Sequence, residues 1–131
     1  MKEDNNKVIV IPALPPKEAS PNWRGHWAVK YKAMKDYKSL TILMARQQIK
    51  GKHINPLKRA TIKTTLVIPD RRYIMDGDNA IASLKAGIDG LVAAGILSDD
   101  KDIHVMPVTY KIDKRQAPKT IIHVQPITTQ T

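Results

Sequence analysis

The sequence predicts an α+β fold in one domain: a mixed or antiparallel sheet of about four strands with two helices packed on it, in the order β-α-β-α-β-β. Three observations lead there. Two long stretches repeat apolar residues at helical spacing, and four shorter ones are β-branched or alternate in polarity. A length of 131 residues with 42% hydrophobic content supports one modest core over residues 1–131 and no second.

The polar ends, about 1–6 and 128–131, are expected to be flexible. Val8, Ile9, Val10 and Ile11 form a short β-branched run closed by Pro12 and Pro15, which reads as a buried strand. Pro, Ser and Asn then make Leu14 to Arg24 a loop. From Trp27 to Lys50, Trp27, Tyr31, Met34, Tyr37, Leu40, Thr41 and Met44 trace a helical stripe, with Lys30, Lys32, Lys35, Lys38 and Arg46 on the other faces. Periodic apolar residues on a basic helix normally bury themselves, so the stripe is assigned to the core or to a dimer contact rather than to base stacking. Gly51 closes this helix, and Lys52 to Pro56 form a basic turn. The second strand runs from about Leu57 to Ile68, where Ile62, Thr64, Leu66 and Ile68 alternate with Thr61, Lys63, Thr65 and Val67.

From Asp78 the pattern is helical again, with Ile81, Leu84, Ile88, Leu91 and Val92 expected to face the core. Gly95 is a natural cap, and Ser98, Asp99 and Asp100 form a polar turn. Ile103 to Ile112 and Thr120 to Gln125 are the third and fourth strands. They are expected to be antiparallel, as a hairpin whose tip carries Lys114 and Arg115, because their connection is short.

Charge narrows the function. A formal charge of +10 and a pI near 9.9 point to an acidic partner, nucleic acid before anionic membrane. No apolar run approaches the roughly 20 residues that span a bilayer. The opening MKEDNNKVIVIPALPP does not read as a signal peptide, since acids precede a short apolar run that Pro interrupts. Without cysteine there is no disulfide, thiolate zinc site or thiol nucleophile, which fits a cytoplasmic setting. His26, His53, His104 and His123 are scattered, so a zinc centre is not expected.

Against this basic background, seven of the twelve acids fall between Pro69 and Asp102: Asp70, Asp76, Asp78, Asp89, Asp99, Asp100 and Asp102. Residues two apart in an extended segment point the same way, so Asp76 and Asp78 can reach one point. Around a helix, Asp78, Ala82, Lys85 and Asp89 fall within roughly 40° to 60° of one another. Carboxylates grouped in this way suit a hard cation such as Mg²⁺, which takes one or two carboxylates together with water and phosphate oxygens. Asp and Asn also cap helices and form turns, and that reading stays open for each residue taken singly. An EF-hand is excluded, because Ala80, Ile81 and Gly87 stand where its loop needs an oxygen ligand, a Gly and an oxygen ligand.

The run Arg71, Arg72, Asp76, Asp78, Asn79, Lys85, Asp89, Leu91, Gly95, Asp99 and Asp100 resembles the RusA-type Holliday junction resolvases, small endodeoxyribonucleases of bacteria and their phages. The likeness covers about a quarter of the chain, with a fainter echo at Pro15, Pro16, Asn22 and His26. It implies that Asp76, Asp78 and Asp100 hold Mg²⁺, with Mn²⁺ as a substitute, and that Lys85 assists catalysis. Asp89, Asp99 and Asn79 would support those ligands, while Arg71, Arg72, Lys114 and Arg115 would bind DNA phosphates. It further implies a homodimer that resolves four-way or other branched DNA by paired cuts in recombination and repair, in the cytoplasm of a bacterial or phage-infected cell. One departure stands out: Asn79 to Lys85 is about three residues longer than in the best-known member, and three residues turn a helix by about 300°. Lys85 thus keeps its side of the helix but not its height. The alternative class is a non-catalytic nucleic-acid-binding protein, in which these acids are structural.

Overall fold

The computed structural model describes residues 6–19, 23–49, 55–74 and 77–127, with the backbone alone at 77–79. Both expected flexible ends in the main, Asn22, Gly51, residues 52–54 of the basic turn, and Asp76 lie outside those residues. In order the elements are β1 (Lys7–Ile11), α1 (Trp27–Gln48), β2 (Ala60–Ile68), α2 (Gly77–Ala93), β3 (Ile103–Val105), β4 (Thr109–Ile112) and β5 (Lys119–Pro126). Short 3-10 turns at Lys17–Ala19 and Arg71–Tyr73 precede the two helices.

The fold is α+β as expected, built on one mixed sheet. β5 is antiparallel to both of its neighbours, β1 and β2, and β3 and β4 run parallel to β2 along its other side. The single third strand expected over Ile103 to Ile112 is divided. Ile62 faces Val105 while Thr65 faces Thr109, so one extra residue is accommodated between β3 and β4. Pro107 has no N–H to give a ladder, and a bulge is where such a residue is tolerated. The Thr109 hydroxyl lies 3.3 Å from the Thr64 carbonyl and donates to it across the interruption.

The expected hairpin is corrected as well. β4 and β5 run in opposite senses, but β2 lies between them. Residues 113–118 therefore step over the end of β2, where the Asp113 N–H donates to the Ile68 carbonyl at 2.9 Å. Two interstrand spacings of about 4.8 Å are well within reach of such a connection. Asp113 shapes it by accepting from the Arg115 N–H at 2.9 Å and from the Gln116 amide at 2.7 Å.

Alternation along the strands puts Ile9 and Ile11, Ala60, Ile62, Thr64 and Leu66, and Thr120, Ile122 and Val124 into the buried layer. Tyr37 and Ala45 of α1 and Ala86 and Leu91 of α2 join the same core. His26 begins α1, its Nδ1 accepting from the Ala28 N–H at 3.0 Å. Tyr37 donates from its hydroxyl to Thr120 Oγ1 at 2.9 Å, and Thr120 donates in turn to the Ala13 carbonyl at 2.7 Å. This relay ties α1 to β5 and to the loop after β1.

The α1 stripe is only partly core. Tyr37 and Thr41 are buried and Met34, Leu40 and Met44 half-buried, whereas Trp27 is 72% and Tyr31 62% exposed.

Candidate functional site

The depth at which α2 sits is decided by its small residues. At Gly90 a Cβ would lie 2.9 Å from Thr41 Cβ and 3.0 Å from the Lys38 carbonyl; at Gly87 it would lie 3.2 Å from the Tyr37 ring. The helices approach that closely because neither position has a side chain. Ala80, Ser83, Leu84, Ala86 and Leu91 complete the buried face. Ile81, assigned to the core by its spacing, is instead 40% exposed at the rim of a hollow.

α2 then ends in a Schellman cap. Gly95 has φ +86°, the Ile96 N–H reaches the Leu91 carbonyl at 3.0 Å and the Gly95 N–H reaches that of Val92 at 3.1 Å. The reversal sends Leu97 into a parallel bridge with Leu57, and the Ser98 N–H donates to the Leu57 carbonyl at 2.9 Å. So anchored, the turn from Ser98 to Asp102 carries Asp99 and Asp100 back beside α2. Asp99 accepts from the Asp100 N–H at 2.6 Å. That bond is the main reason the Asp99 carboxyl titrates below the usual range.

There the helix and the turn meet. Lys85 Nζ lies 3.8 Å from Asp89 Oδ1 and 3.9 Å from Asp100 Oδ2, within an open hollow of about 250 Å³ floored by Ile88, Ile103 and Val105. Ala82 lies on its rim, and Asp78 occupies the position one turn earlier on that face of α2. Because α2 starts at Gly77, Asp78 stands in its first turn, and the period-two geometry expected of an extended Asp76 and Asp78 pair does not apply to it. Seven helical residues separate Asp78 from Lys85, a rise of about 10.5 Å. Asp76 and the side chains of Asp78 and Asn79 lie outside the described residues.

Among the described residues no three His, Asp or Glu side chains converge on a metal-sized point. The donors present nonetheless suit a hard cation. Carboxylate oxygens of Asp89 and Asp100 both approach one cation, the Lys85 ammonium, and neither sulfur nor imidazole lines the hollow.

The expected phosphate-binding residues are drawn to the far end of β2. Asp70 caps the 3-10 turn there and accepts from the Arg72 N–H at 2.9 Å, Nε at 3.0 Å and Nη2 at 2.9 Å. The Arg72 bonds hold the Asp70 carboxyl below its usual range and push the guanidinium above its own. Arg72 is thus committed to a carboxylate, while Arg71 is exposed beside it. Lys114 and Arg115 follow Asp113, which bonds to Ile68, so they share this end of the sheet. Among the described residues no helix is long and apolar enough to cross a membrane.

No protein-family model matches the chain, and no curated protein matches it.

Proposed function

We propose that the chain is a metal-dependent endodeoxyribonuclease that cuts branched DNA, four-way junctions first, as a homodimer with one site per subunit. The observation that carries this reading is the meeting of Lys85 with Asp89 and Asp100 in one open hollow, on a face of α2 that also carries Asp78, in a protein of charge +10. A phosphodiester repels an attacking hydroxide, so positive charge must stand where the phosphate binds. Asp76, Asp78 and Asp100 would hold Mg²⁺. Bound there, the ion supplies Lewis acidity toward the phosphate.

The chain's own groups supply the rest. Lys85 presents an ammonium to a phosphate oxygen at the mouth of the hollow, and Asp89 one turn along keeps it oriented. The Asp99 bond to the Asp100 N–H stiffens the turn that presents Asp100. Arg71, Lys114 and Arg115 bind flanking phosphates, giving affinity and register without reading sequence. Two-fold symmetry then matches paired cuts across a junction.

The test is to incubate the purified protein with Mg²⁺ and four-way, flap and duplex DNA beside Asp78→Asn. Paired nicks in the junction, lost in the variant while binding persists, are expected; equal cutting by the variant would sink the reading. A second reading, non-catalytic nucleic-acid binding, is favoured by the pairing of Lys85 with carboxylates of the chain itself. Binding with no metal-dependent cut on any of these substrates would establish it instead.

A further inference from the structure

A second hollow lies between α1 and α2. Its volume is about 430 Å³, within the roughly 300–1,000 Å³ of small-molecule sites, and Tyr31, Met34, Lys35, Lys38, Ile42 and Asp89 line it. Asp89 also lines the Lys85 hollow, so the two depressions share a wall at that residue.

The chemistry of its walls is specific. Tyr31, which its spacing assigned to the core or a dimer contact rather than to base stacking, is 62% exposed, so the core does not use it. The acid of α1, Asp36, is engaged at 2.7 Å by Lys32. Lys35 and Lys38 make no ion pair within 4.0 Å among the described residues. Asp89, the carboxylate on these walls, lies 3.8 Å from Lys85 Nζ, so Lys35 and Lys38 stand beside an exposed aromatic ring and apolar side chains, a combination that suits a flat base joined to phosphate. Duplex DNA keeps its base faces stacked, whereas an unpaired strand offers them to an aromatic side chain. The charge of +10 carried by the whole chain favours a polyanion over a protein partner here.

We infer that the α1/α2 groove is a subsite for an unpaired nucleotide, with its base on Tyr31, Met34 and Ile42 and its phosphates on Lys35 and Lys38. This deepens the nuclease reading and rests on it in one respect, that the nucleotide flanks the cut made in the adjoining hollow.

The test uses the full chain in EDTA, so that no cutting occurs, and follows the anisotropy of a short fluorescein-labelled oligothymidylate. Tyr31→Ala should weaken binding about tenfold, while Tyr31→Phe, which keeps the stacking ring, should stay within about twofold. Replacing Lys35 and Lys38 together by Ala should flatten the dependence of log affinity on log salt by about 1.4, the value for two phosphates on a single strand. Circular dichroism melts check that each variant is folded. Unchanged affinity in Tyr31→Ala, or no oligonucleotide binding by the parent protein, overturns the inference. So does loss of self-association in Tyr31→Ala with oligonucleotide affinity intact, which would make a second copy the occupant. A protein that passes these tests but never cuts a junction keeps the subsite and loses the nuclease; one that cuts while Tyr31→Ala binds normally loses the subsite alone.

Discussion

The Lys85 ammonium lies 3.9 Å from Asp100 Oδ2, although one residue belongs to the middle of α2 and the other to the turn before β3. Lys85 and Asp100 are 64% and 50% exposed at their side chains, so water screens the pair and its share of stability is small, about 0–1 kcal/mol. Its value is positional.

Lys85→Met should lower the single-turnover cleavage rate of a four-way junction by about 10²–10³, the usual loss for one charge-stabilising donor. Its melting temperature should remain close to the parent's. A variant that cleaves at the parent rate would place Lys85 among ordinary surface ion pairs.

Gly90→Ala should be less stable than Gly87→Ala in urea titrations. At Gly90 the new Cβ meets Thr41 Cβ and the Lys38 backbone, an overpacking cost of about 1–3 kcal/mol that outweighs the ~1 kcal/mol gained in helix propensity. At Gly87 the nearest atom, Tyr37 Cε2, is 3.2 Å away, a smaller intrusion than at Gly90. Equal midpoints would contradict the helix contact described above.

Tyr37 should make the fold sensitive to alkali. Burial pushes its hydroxyl well above the usual phenol range, outweighing the Thr120 hydrogen bond that acts the other way. The folded protein therefore holds that proton more tightly than the unfolded chain. The resulting stability is fully present below the unfolded value of about 10 and is lost as pH rises beyond it. Tyr37→Phe should cost about 0.5–1.5 kcal/mol at neutral pH by removing the donor to Thr120. It should also flatten the loss of stability above pH ~10; chemical denaturation across that range tests both statements.

Arg71 and Arg72 should differ in DNA binding despite being neighbours. Arg71→Ala should reduce the slope of log affinity against log salt on duplex DNA by about 0.9, one phosphate contact. Arg72→Ala should reduce it less, because Asp70 already holds that guanidinium through two of its nitrogens. Asp70→Asn should steepen the slope by releasing Arg72. Identical slopes for the two arginine variants would remove the distinction.

What was legible in the sequence was whatever depends on neighbours along the chain. The period of 3.6 placed both helices, a β-branched run placed β1, alternation placed β2, and Gly95 marked the end of α2 because a left-handed residue there suits glycine. Lys85 and Asp89 were legible as a pair for the same reason, being one helical turn apart.

Tertiary structure alone decided the rest. Spacing favours large apolar residues, so it assigned Ile81 to the core and Trp27 and Tyr31 to the core or a dimer contact, whereas the helix contact uses Gly87 and Gly90 and leaves those three at the surface of the chain. A short connection predicted a hairpin, yet β2 occupies the place between β4 and β5, since strand pairing is settled by every strand competing for the same edges. The approach of Asp100 to Lys85 likewise requires the Gly95 reversal, the Leu57 bridge and the depth of α2 together. Local periodicity follows from covalent geometry and can be read residue by residue; the meeting of distant side chains follows from how whole faces share one core, and only the folded chain expresses it.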